Sequence, residues 1–150
     1  MAITVKWNPL TLEKIVEQAG NDVNFLTGTA KIMLVTSGWT PAFDTDDFIN
    51  DVGANEVANG NGYTTGGETL GTKTITYDTA SDQIRVDFAD VTWTFTAGKT
   101  WLYGVVYIDT AGAASTDPIY AVLTWDSSQT VSTAYTLQID AAGLLYIDAT

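Results

Sequence analysis

Two residue types are missing from this 150-residue chain: it has no cysteine and no histidine. Without cysteine there are no disulfides, no thiolate nucleophile and no Cys-based zinc site, so folding is expected to be indifferent to the redox compartment. Without histidine the commonest general base, the commonest transition-metal ligand and the usual near-neutral pH switch are gone. Basic residues are scarce as well: six Lys and Arg stand against eighteen Asp and Glu, a formal net charge of −12. That balance repels phosphate backbones and anionic headgroups, which argues against a nucleic-acid or membrane partner and favours solubility. No window approaches the roughly 18 consecutive apolar residues of a bilayer span. The opening MAITVKWNPL, with one lysine and no apolar run, does not read as a signal peptide. Synthesis in the cytoplasm is expected.

What is present suits one packed domain. Apolar residues make up 45% of the chain, with five Trp, seven Tyr and five Phe to fill a core. NPLTLEKIVEQAGN reads as an amphipathic helix: Asn8 caps it, Pro9 suits its first position, and Leu12, Ile15, Val16 and Ala19 form an apolar stripe. TAKIMLVTS is a strand, and TPAFDTDDFINDV has room for a short helix starting near Asp44. From Thr72 onward, runs rich in Val, Ile, Thr and aromatics alternate with turn text such as ASD, AGK and AAG. Short strands at that spacing predict a mainly β fold, an antiparallel β-sandwich of jelly-roll or Ig-like type with one N-terminal helix. Residues 1–28 are expected to form an arm and helix, and residues 29–150 the sandwich. WLYGVVYI is apolar on both faces, so that strand is either central in the sandwich or buried against a second chain.

The stretch NEVANGNGYTTGGETLG carries five glycines in seventeen residues. A phosphate-binding loop needs a helix after the glycines, to aim N–H groups at the anion; here a strand follows, and there is no GK[ST]. The expected role of Gly60, Gly62, Gly66 and Gly67 is to allow positive φ in a winding loop, with the Tyr63 ring packed inward as its anchor. DTDDFIND lacks the ligand spacing of an EF-hand, because Phe48 and Ile49 fall at its fifth and sixth positions. Its acids read as a helix N-terminus, with an adventitious Ca²⁺ site as the alternative. Glu56 and Glu68 bracket the glycine loop and are the only carboxylate pair placed to suggest glycoside hydrolysis, but exposed loop acids are ordinarily solvated charges. No Gly-x-Ser-x-Gly elbow occurs. The expectation is no enzyme, no cofactor and no metal. Trp93, Trp101, Tyr103, Tyr107 and Trp125 are candidates for core or subunit interface, with a carbohydrate platform as the alternative.

The motifs NEVANGNGYTTGGETL, TITYDTASDQIRVDFADVTW and YGVVYIDT together resemble a family of small phage virion proteins of the head-fibre, decoration or structural type. The similarity covers roughly residues 29–126, and the gap between Val57 and Gly62 is longer here than in the family pattern. The resemblance implies a subunit of the virus particle, made in the host cytoplasm and placed on the capsid surface. Its expected partners are the major capsid protein and further copies of itself, with a trimer as one expected form. Leu12, Ile15, Val16 and Ala19 are then the candidate capsid-docking residues, and Trp101, Tyr103, Tyr107 and Trp125 the candidate interface aromatics. The alternatives are a tail-tip receptor- or glycan-binding module and a neck or tail assembly component.

Overall fold

A computed structural model of the chain describes residues 2–17, 24–140, 143 and 145–148. Ten strands and one α-helix follow the order β1 (Ile3–Trp7), α1 (Pro9–Glu17), β2 (Thr29–Val35), β3 (Glu68–Thr69), β4 (Thr74–Asp78), β5 (Gln83–Asp87), β6 (Val91–Thr94), β7 (Lys99–Asp109), β8 (Ile119–Val131), β9 (Ala134–Leu137) and β10 (Leu145–Asp148). A five-stranded sheet has the order β1-β8-β7-β2-β3, and smaller sheets β10-β5-β4 and β6-β9 complete the β structure. Every pairing is antiparallel. The fold is mainly β and sandwich-like, as the alternation predicts.

The two faces of the large sheet bury different material. One face carries Ala30, Ile32, Leu34, Trp101, Val106, Ile108, Leu123 and Trp125 against Val86, Phe88, Val91, Trp93, Phe95 and Leu137 of the smaller sheets. The other carries Met33, Val35, Val105, Tyr107, Ile119 and Val122 against Trp39 and Val52, with Phe43 and Ile49 packed alongside. Those last four residues belong to the long excursion between β2 and β3, which folds back over its own sheet. Its helical part is a set of 3-10 turns over Ile49–Asn55, interrupted at Gly53, and not a helix from Asp44. The doubly apolar strand β7 is therefore central, and over residues 104–108 both of its faces are covered by this same chain.

The N-terminal segment is integral to the sheet and not an arm. β1 pairs with β8 along its whole length, from Ile3 opposite Trp125 to Trp7 opposite Ala121. Asn8 then caps α1 as its position predicts, its Oδ1 accepting from the Leu10 N–H at 3.0 Å. The same side chain donates Nδ2 to the Asp46 carbonyl at 2.6 Å, and Asn8 is 1% exposed. One turn on, the buried Thr11 hydroxyl donates to the Ile119 carbonyl at 2.5 Å. The buried side of α1 is thus polar and specifically bonded, whereas Leu12 is half-buried and Ile15 exposed. The Val16 side chain and Ala19 lie outside the described residues. Removing residues 1–20 would take an edge strand and these bonds with it.

Asn8→Ala is expected to cost about 2 kcal/mol, combining a lost cap with the loss of the part-buried bond to the Asp46 carbonyl. Urea unfolding of the variant measures it, and a change within error of zero would show the cap to be dispensable.

Candidate functional site

The glycine loop is bolted to the face of β2 and β7. Its glycines at positions 60, 62, 66 and 67 have φ of 94°, 84°, 88° and 71°. Positive φ alone does not explain all four. A Cβ on Gly62 would run into the Thr94 carbonyl, and one on Gly67 into the Ile32 carbonyl, so the backbone there lies directly against neighbouring strands. Tyr63 is the anchor, 2% exposed. Its hydroxyl donates to Glu56 Oε1 at 2.8 Å and accepts from the Leu34 N–H at 3.0 Å. The same Glu56 oxygen accepts from the Gly66 N–H at 2.6 Å, and the Tyr107 hydroxyl donates to the Gly66 carbonyl at 2.8 Å. On the far side of the loop, Lys99 Nζ donates to the Ala58 carbonyl at 2.5 Å, and the Thr96 N–H to the Asn61 carbonyl at 3.0 Å.

These bonds define what the loop can do chemically. Its N–H groups at positions 60, 63, 66 and 67 are spent inside the protein, and a strand instead of a helix follows it, so these four groups are not available to hold an anion. Glu56 is a lock for the loop, not a free carboxylate. Burial first, and the Glu56 charge next, push the Tyr63 hydroxyl far above its ordinary value of 10.0. Burial likewise raises Tyr107, assisted by the charges of Asp109, Glu56 and Asp117. Both stay protonated donors over the physiological range. Alongside the loop, Met33, Ile49, Val52, Glu56 and Gly66 border a recess of about 260 Å³.

The acidic stretch 44–51 turns inward on its own backbone. Asp46 Oδ2 accepts from Trp39 Nε1 at 3.2 Å and from the Ala42 N–H at 2.9 Å. Asp51 Oδ2 accepts from the N–H groups of Asp47 and Phe48, each at 3.1 Å, which caps the 3-10 turns. Among the described residues, no group of three or more acidic side chains converges as a metal site would require. Glu68, the other carboxylate of the pair, sits on β3 opposite Ile32.

The aromatic candidates divide sharply. Trp101 and Trp125 are 0% and 2% exposed within a cluster that includes Trp93, Phe95 and Tyr135. Tyr107 is 2% exposed beneath the glycine loop. These three belong to the chain's own core and offer no interface, because their side chains are almost wholly covered within this chain. Tyr103 alone remains half-exposed. It lies in a row across three strands with Thr124 and Thr4, which face one another in register. With Lys6, Pro41 and Phe43 these residues line a shallow groove of about 350 Å³. Trp39 braces the Tyr103 ring edge-on at 5.5 Å, and Lys6 Nζ stands 5.7 Å from the Phe43 ring centre.

The sequence points to Tyr63, its glycines and Tyr103, but not to Lys6, Phe43 and Pro41 as groove residues, nor to Lys99 as a loop tether. The period-two alternation of Thr4 and Lys6 on β1 was the one available signal. No family model, curated protein or solved structure shows significant similarity to the chain.

Proposed function

We propose that this chain is a phage virion structural protein, a decoration or cement subunit of the capsid surface that works through contact area and carries out no reaction. The reading rests on the resemblance of its motifs to small virion proteins. The observation that supports it is that the two halves of the motif meet in space. The glycine loop of GYTTGG abuts the Thr94 carbonyl of the DVTW strand, and the Asn61 carbonyl takes the Thr96 N–H. A sequence signature split by some thirty residues thus marks one packed unit, as a shared fold would require. The partners are the major capsid protein and further copies of this chain. Binding only to the assembled shell would stabilise it by mass action. Because β1 is built into the sheet, docking falls to the exposed outer side of α1, around Ile15, instead of a detachable arm.

The groove of Tyr103, Phe43 and Lys6 favours a second reading, a glycan-binding module at a tail tip. Its half-exposed aromatic rings beside threonine hydroxyls are the kind of surface that stacks on a sugar.

Mass-spectrometric quantification and immunogold imaging of purified particles test both. Many copies in fixed ratio to the major capsid protein, spread over the head, are expected. A few copies at the tail would transfer the assignment to the second reading, and absence from particles would overturn both.

A further inference from the structure

Among the described residues five large apolar side chains are exposed: Ile15, Leu26, Ile75, Tyr77 and Ile84. Three of them share one place. Tyr77 faces Ile84 in the β4–β5 ladder and Ile75 faces Val86, so all four lie on one side of the small sheet. Val86 is buried in the core at 2% exposure, whereas Ile75, Tyr77 and Ile84 are 40%, 58% and 41% exposed. The apolar face therefore runs out past the edge of the core into solvent. Among the described residues β4 is also the outer strand of its sheet, and its residues from Thr74 to Tyr77 are all exposed.

Such an edge is ordinarily blunted by proline, a bulge or a charge along the strand. β4 has none of these between Thr74 and Tyr77, and its register with β5 is unbroken. The charges at its ends are engaged within the chain. Lys73 Nζ bonds the Gly28 carbonyl, and Asp78 pairs with Arg85. One lysine and one aspartate leave the segment 73–78 neutral in a chain of net charge −12. It is a place where two copies can approach without adding like charge.

We infer that the free edge of β4 pairs antiparallel with the same edge of a second copy, about a dyad at Thr76. The hydrophobic pattern selects that register. A one-residue slip would set the apolar face of one copy beside the polar face of the other. Among the registers that keep the faces aligned, a dyad at Ile75 would put Tyr77 opposite Lys73, and one at Tyr77 would put Ile75 opposite Thr79. Only the dyad at Thr76 sets Ile75 opposite Tyr77 twice, an aromatic–β-branched pair of the favourable kind. The Tyr77 ring is held for this by its hydroxyl, which donates to Asp82 Oδ1 at 2.6 Å. Five paired residues a side make a small interface, at the low end of the roughly 1,200 Å² that specific contacts bury, so the dimer is concentration-dependent. The inference rests on the self-association part of the proposed function and not on the capsid location.

The absence of cysteine provides the test. In Thr76→Cys the two new thiols face each other across the dyad, where Cα atoms about 4.5–5.5 Å apart suit a disulfide. Oxidation with diamide should convert this variant to a covalent dimer, while the remote Ser128→Cys control stays monomeric. Sedimentation of the unmodified protein should show a monomer–dimer equilibrium that Tyr77→Lys abolishes without altering its circular dichroism. A protein monomeric at every concentration would overturn the inference, as would a dimer indifferent to Tyr77→Lys with no link at position 76. Either result leaves the virion assignment to be judged by the particle measurements.

Discussion

Gly67→Ala is expected to destabilise the protein by about 3 kcal/mol or more, among the largest effects available to one methyl group here. Two costs combine. The backbone at 67 has φ of 71°, which costs an L-residue roughly 1–2 kcal/mol. The added Cβ would also fall within the van der Waals surface of the Ile32 carbonyl and Met33 Cα, atoms of β2, which is held between β7 and β3 and has no freedom to recede. Gly62→Ala is expected to act similarly, against the carbonyl of Thr94. Gly60 gives the internal control: its φ is 94°, but nothing lies within 4 Å of its Cβ position. Gly60→Ala should therefore cost only about 1 kcal/mol, the conformational share alone. Chemical denaturation of the three variants distinguishes the two terms. Equal losses at 60 and 67 would show that the loop is not pressed against β2.

Alkaline pH should unfold the protein steeply, whereas mild acid or base should leave it nearly unaffected. No histidine titrates near neutrality. Burial pushes the hydroxyls of Tyr63 and Tyr107 far up, and that of Tyr120 to about 12. A tyrosine whose folded value exceeds its unfolded value near 10 holds its proton in the folded state while the unfolded chain releases it. Its stabilising contribution is complete below pH ~10 and is lost as pH rises toward the folded value. Each such group removes about 1.4 kcal/mol per pH unit at most, so the three together remove roughly 4 kcal/mol per unit above pH ~10. A typical domain has only about 5–15 kcal/mol to lose. The share of tyrosinate absorbance that comes from the buried rings should appear together with the loss of circular dichroism, in one cooperative step between pH ~10 and ~12. Tyrosinate forming fully in a protein that retains its circular dichroism would contradict the buried, bonded placement of Tyr63 and Tyr107. Tyr63→Phe should shallow the transition while lowering stability at neutral pH, because the Leu34 N–H and Glu56 lose their shared partner.

Several features of the fold could be read in the chain because they are written in neighbouring residues. Alternation in TITYDT and QIRVDF gives two strands joined by a short turn, and these pair as β4 and β5. Asn8-Pro9 marks the start of α1, because a cap and a fixed φ act within one turn. The glycines of the loop announced positive φ for the same local reason. The helix stripe does not tell what α1 bonds within the chain. Its inward side is chosen by the Asp46 and Ile119 carbonyls, which accept from Asn8 and Thr11 across separations of 38 and 108 residues. Of the apolar stripe, Leu12 is half-buried and Ile15 exposed, which the spacing alone does not tell apart.

By itself, then, the amino-acid order determined that this chain is mainly β, acidic, capped at Asn8 and turned by glycines. Period-two patterning, side-chain capping and φ preference act over a few residues and need no distant partner. Only the tertiary structure decided which aromatics are core, that the doubly apolar β7 is covered within one chain, and that β1 is a sheet strand. It also decided that Glu56 is a lock and that Tyr103 meets Lys6 and Phe43 in a groove. Those last two facts depend on an excursion of some thirty residues folding back over its own sheet. Whether a side chain is covered depends on segments remote in sequence, and no local pattern encodes their return.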